Sequence, residues 1–153
     1  MKRFEFRLER VRKWRQDQAD LEDQRLEQLY AELRAIETKR KEIESEADQR
    51  RRSVLTQATV MAEELAFIES FRTWADGQIR RLGERQRDAE LKVQKQRQRV
   101  LEAHRRFQLL NGLKDKALVD WTSQRDKEQE ELAAELYLAK KSRDSGIRSR
   151  AED

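Results

Sequence analysis

The sequence predicts an all-α fold, two long helices in an antiparallel coiled-coil hairpin with the second helix longer and projecting past the first. Three observations carry this. The chain of 153 residues has no proline and only 4 glycines, 43% of it is charged, and apolar residues recur at alternating spacings of three and four. Proline breaks helix interiors and glycine weakens them, so a chain nearly free of both can stay helical over long distances. A 3.5-residue apolar repeat keeps one narrow stripe facing a partner helix. With 36% hydrophobic residues the chain lacks material for a thick core, and a seam between two helices is the burial geometry that fits.

Helix one is expected over about 4–52. Its stripe reads Leu29, Leu33, Ile36, Arg40, Ile43, Ala47, Arg50 and Val54, with looser upstream support from Phe4, Leu8, Val11, Leu21 and Leu26. Two basic residues interrupt it. Helix two is expected over about 62–143. Its stripe runs Ala58, Met61, Leu65, Ile68, Arg72, Ala75, Ile79, Leu82, Gln86, Ala89, Val93, Gln96, Val100, Ala103, Phe107, Leu110, and 13 of these 16 positions are apolar, the mark of one continuous helix.

The stripes do not join in phase between Val54 and Ala58, and Ser53 to Ala62 carries no charge in a chain otherwise rich in it. This places the turn at about 53–61. Asp76-Gly77 is a competing turn dipeptide, but the second stripe passes through it. A turn near residue 57 sets Leu33 beside Ile79 to Leu82, sets Phe4 to Val11 beside Ala103 to Leu110, and leaves about 30 residues of helix two projecting. The helices would measure about 75 and about 120 Å at 1.5 Å per residue. The polar end 144–153 reads as a frayed tail, and the whole chain as a single domain.

Zero cysteine excludes a disulfide framework and sulfur-based metal sites, and agrees with a reducing compartment. The opening residues interrupt every apolar pair with charge, so they do not form a signal-peptide core. No window approaches the roughly 20 apolar residues that span a bilayer. Catalysis is not expected: His104 is the lone histidine, and phosphate-loop, H-E-x-x-H and G-x-S-x-G motifs are missing. No cofactor is implied.

Charge is distributed in blocks. Met1 to Asp17 holds seven basic against three acidic residues, Arg80 to Arg106 ten against four, and Asp115 to Glu135 reverses this with seven acidic against three basic. Interleaved acids argue against a nucleic-acid groove. A two-helix seam cannot bury three indoles, so Trp14, Trp74 and Trp121 should expose surface, and exposed aromatics are candidate partner contacts.

The opening Phe4-Glu5-Phe6-Arg7-Leu8-Glu9-Arg10-Val11-Arg12-Lys13-Trp14-Arg15 resembles the F-x-F-x-L-x-x-(V/L)-x-x-x-R start of FliJ-type proteins of bacterial flagellar type III export. The stretch Ala103 to Lys116 is similar to that family's basic run followed by L-x-x-L-x-x-K, carried by Leu110, Leu113 and Lys116. The resemblance implies a non-enzymatic cytoplasmic stalk, similar to the central coiled coil of rotary ATP synthases, peripheral to the inner membrane. Its implied partners are a hexameric export ATPase and the export gate membrane protein, with export chaperones as further candidates and no nucleic acid. The resemblance points to Phe71, Ala75 and Leu82 for the gate, although the tyrosines some members carry late in helix one are missing from Ser45 to Arg50. For the ATPase ring it points to the paired end, where we single out Arg10, Lys13, Trp14, Arg15, Leu113 and Trp121. The alternatives are a generic coiled-coil scaffold or dimerisation module, and a basic helical RNA-binding protein.

Overall fold

Two helices make up the fold in a computed structural model that describes residues 3–150, with side chains described for residues 3–143. Helix α1 spans Glu9–Leu55 and helix α2 spans Ala62–Arg150. No strand occurs among the described residues. The all-α hairpin with a longer second helix is therefore as expected. Contacts divide it into two compact units, Gln16–Arg105 and the described parts of Met1–Arg15 with Arg106–Asp153.

Within Gln16–Arg105, the turn is shorter than expected, because α1 continues through Ser53 and Val54 to Leu55. The hydroxyls of Ser53 and Thr56 donate to carbonyls of the last helical turn, Ser53 to Arg50 and Thr56 to Arg52, satisfying groups a helix end leaves open. At the start of α2 the Met61 N–H donates to the Glu64 carboxylate, half of a capping box, and Glu63 and Glu64 place negative charge at the positive helix end. Gly77 lies inside α2 with no positive φ, so the competing turn does not form.

The seam of this unit holds Ile36, Ile43, Ala75, Leu82 and Ala89, flanked by Leu33, Ala47, Phe71 and Ile79. Nearly all are stripe residues. The interruptions are accommodated by pairing: Arg40 hydrogen-bonds Glu44 on its own helix at 3.0 Å and the side chain of Gln86, the interruption of the other stripe, at 3.3 Å. Arg50 donates to Glu46 and lies 4.4 Å from the ring centre of Phe71 and 5.7 Å from that of Phe67.

Register departs from expectation. Leu33 lies between Tyr30 and Arg40, whose partners across the seam are Arg97 and Gln86, so it faces the 86–97 stretch and not Ile79 to Leu82. The midpoints of the cross-seam pairs fall at about residues 59 to 64. The shift arises because Ala58, Met61 and Leu65, counted as seam positions, are exposed; α2 packs only from Ile68. Arg72 is also exposed, and Phe71 takes its place at the seam. Upstream in α1, Leu21 faces solvent, and the inward positions are Ala19, Glu22 and Leu26.

In the other unit, the first residues are not helical. Helix one is expected from Phe4, but α1 begins at Glu9, with the Glu9 N–H donating to the Phe6 carbonyl. Residues 3–7 alternate charged and aromatic, a period of two that suits an extended segment, and Phe4 and Phe6 are half-buried while Arg3, Glu5 and Arg7 are exposed. Val11 faces solvent, and Arg12 points inward. Phe4 stands beside Trp121 and not beside Ala103 to Leu110, with ring centres 5.9 Å apart. Helix α2 continues past Arg143 to Arg150, so the expected frayed tail is helical over 144–150, and 151–153 lie outside the described residues. From Asp126 to Arg143 every side chain is exposed, a shorter stretch than the about 30 residues expected to project, because Lys114, Ala117 and Trp121 are half-buried.

Candidate partner-binding surfaces

The best-defined polar constellation joins the start of α1 to α2 around Glu9. Its carboxylate accepts hydrogen bonds from Arg12, 2.7 Å at the shortest, and an ion pair from Lys114 at 3.0 Å. Hydrogen bonding from Arg12, then from Lys114, lowers the Glu9 carboxyl from 4.5 to about 2, and Glu9 in turn raises Arg12 above its ordinary value. Arg12 also donates to the Asn111 side chain at 3.1 Å and lies over the Phe107 ring. One turn of α1 is thus tied to two turns of α2 by charge-assisted contacts.

Around this constellation stand the residues expected to meet an ATPase ring. Arg10 and Lys13 are exposed and make no ion pair with a described residue; Trp14 is half exposed, with the Arg15 guanidinium 4.6 Å from its ring centre. Leu113 is exposed. Trp121 is half-buried between Phe4 and Arg125, so less of it is presented than expected. Arg10, Lys13, Trp14, Arg15, Leu113 and Trp121 all belong to the same compact unit.

The residues expected to meet an export gate are placed differently. Ala75 is 2% exposed and Leu82 8%, both inside the seam cluster, because they occupy the inward positions of the stripe that names them. Neither presents a side chain to a partner. Phe71 sits at the seam edge, half-buried, with its ring beside Trp74 at 5.3 Å and under Arg50. The apolar surface near the turn comes from Leu55, Met61, Leu65, Phe67 and Trp74, all exposed.

His104 meets Asp23 at 2.9 Å, and among the described residues no group of three His, Cys, Asp or Glu side chains is arranged to hold a metal ion. No described helix is long and apolar enough to cross a membrane. Comparison with protein-family models, curated proteins and solved structures returns no match.

Sequence reasoning missed Glu9, Arg12, Asn111 and Lys114. For Arg12 and Lys114 the signal was present: stepping the first stripe back from Leu26 by fours and threes reaches Glu22, Ala19, Arg15 and Arg12, and stepping the second forward from Leu110 reaches Lys114, Ala117 and Trp121. Most of those positions are polar, and an apolar count passes over them.

Proposed function

We propose that this chain is a non-enzymatic stalk of a bacterial flagellar type III export apparatus, working at the cytoplasmic face of the inner membrane, where it seats in a hexameric export ATPase and reaches the export gate. What supports the reading is that its two family-like motifs, the F-x-F opening and the Leu110 to Lys116 run, are tied together in one unit by Glu9–Lys114 and Arg12–Asn111. The same compact unit carries exposed Arg10, Lys13, Trp14 and Leu113. Complementary charge on a ring would raise association rate and fix register. A seated stalk biases the ring only by binding some of its conformations better than others. At the turn, Phe71 with the exposed neighbours Phe67 and Trp74 is the surface left for a gate contact, Ala75 and Leu82 being internal.

The test is ATPase rate against added protein at two salt concentrations. Reversing the exposed Arg10 and Lys13 together to Glu should slow association and reduce stimulation with little change in helicity, since exposed charges contribute little to stability. Unchanged stimulation would refute the seating model.

A further inference from the structure

We infer that α2 carries a docking stripe for an anionic lipid surface, formed by Arg81, Arg85, Lys92, Lys95 and Arg99. At 100° per residue these five side chains fall within a sector of about 80° and extend along about 27 Å of helix. All five are exposed. Among the described residues none makes an ion pair or a side-chain hydrogen bond, whereas Arg12, Arg25, Arg34, Arg40, Arg50, Arg72, Lys114 and Arg125 are each bridged to a carboxylate. Arg97, in the same run, lies on another face over the Tyr30 ring. The stripe is therefore a separate row of unneutralised cations, with Asp88 the single acid inside its sector.

The pattern favours a fluid array of headgroups. Intervals of four, seven, three and four residues match no fixed ladder of charges, and a rigid polyanion laid along the row would meet Asp88 at its centre. Mobile headgroups gather at the cations and avoid that carboxylate. No aromatic side chain lies between Arg81 and Arg99 to stack on a base, as single-stranded nucleic acid binding requires; Trp74, in the same sector, stands about two turns before Arg81. This inference does not depend on the export reading.

Vesicle co-sedimentation of the full chain tests it, with phosphatidylglycerol and phosphatidylcholine vesicles compared at low and high salt. Binding is expected to phosphatidylglycerol alone and to fall steeply as salt rises from about 50 to about 500 mM, because the Debye length shrinks to a few ångströms. Each surface cation contributes about fivefold at low ionic strength, so neutralising Arg81, Arg85, Lys92, Lys95 and Arg99 to Gln should weaken binding at least about a hundredfold. Neutralising Arg51, Arg52, Arg80, Arg87 and Arg105 changes net charge equally off the stripe and should leave most binding intact. Asp88→Asn should tighten binding about fivefold, a gain that misfolding does not produce. Equal binding to both lipids, no binding to either, or equal losses in the two five-residue variants would overturn the proposal.

Discussion

Replacing Leu82 by Ala separates a seam residue from a docking residue by its effect on stability. Leu82 is 8% exposed and clusters with Ile36, Ile43, Ala75 and Ala89. Burying a leucine side chain contributes about 1.5–3 kcal/mol, and buried Leu→Ala changes cost about 2–5 kcal/mol once the cavity is included. A seam only two helices wide admits water and collapses readily, which favours the low end of that range. Alanine's slightly better helix propensity offsets a few tenths. The expected loss is about 2 kcal/mol. At about 2–4 °C per kcal/mol for a chain of this size, the midpoint of thermal unfolding should fall by about 4–8 °C. Circular dichroism at 222 nm with heat, and with urea as a second denaturant, measures it. A midpoint unchanged in both, with lost binding to a gate protein, would show that Leu82 is presented to partners and that the seam is wrongly drawn.

Further outcomes follow from other sites. Gly77 lies in α2 with nothing within 4 Å of where a Cβ would stand, so Gly77→Ala should stabilise by about 1 kcal/mol in the same unfolding assay; destabilisation would indicate a bend or turn there. The Glu9 carboxyl is depressed from 4.5 to about 2, so its stabilising contribution is complete above about pH 4.5 and lost as pH falls towards 2. In a Trp14→Phe, Trp74→Phe background, Trp121 emission should shift to the red over that window, and Glu9→Gln should abolish the transition. Phe71→Ala should keep its helicity yet weaken export-gate binding by roughly 2 kcal/mol if the ring is a hot spot, measured by titration with the gate's cytoplasmic domain; normal binding would confine Phe71 to packing.

Much of the hairpin is legible because burial between two helices needs one repeating stripe. Leu33, Ile36, Ile43 and Ala47, and on the other helix Ile68, Ala75, Leu82, Ala89 and Val93, stand where a 3.5-residue count puts them. The phase slip and the uncharged stretch locate the turn to within a few residues. Three things are not legible. The extended start obeys a period of two that a helical count absorbs as poor agreement. Register depends on how far α2 travels before its first seam contact, a property of the loop path that no stripe encodes. Polar seam positions such as Glu22 and Arg12 are invisible to an apolar count; Gln96, which the second stripe does contain, is 5% exposed and donates to both the Glu22 carbonyl and its carboxylate. The gate residues illustrate the same confusion in reverse: a stripe that reads as an apolar surface is the surface the partner helix already covers.

The meeting of Arg40 with Gln86 has a consequence for alternative pairings of the same two helices. Heptad seams are nearly self-similar, and sliding α2 by seven residues would keep most apolar positions inward. Such a slip would set Arg40 against Ile79 or Val93, stripping its guanidinium of the amide acceptor and pressing charge onto aliphatic carbon. The same step would leave the Gln86 amide facing Leu33 or Ala47, and would part Gln96 from Glu22. Each frameshift therefore strands several hydrogen-bonding groups at once, so a sequence of repeating, interchangeable apolar layers is left with one alignment in which these polar interruptions find their counterparts.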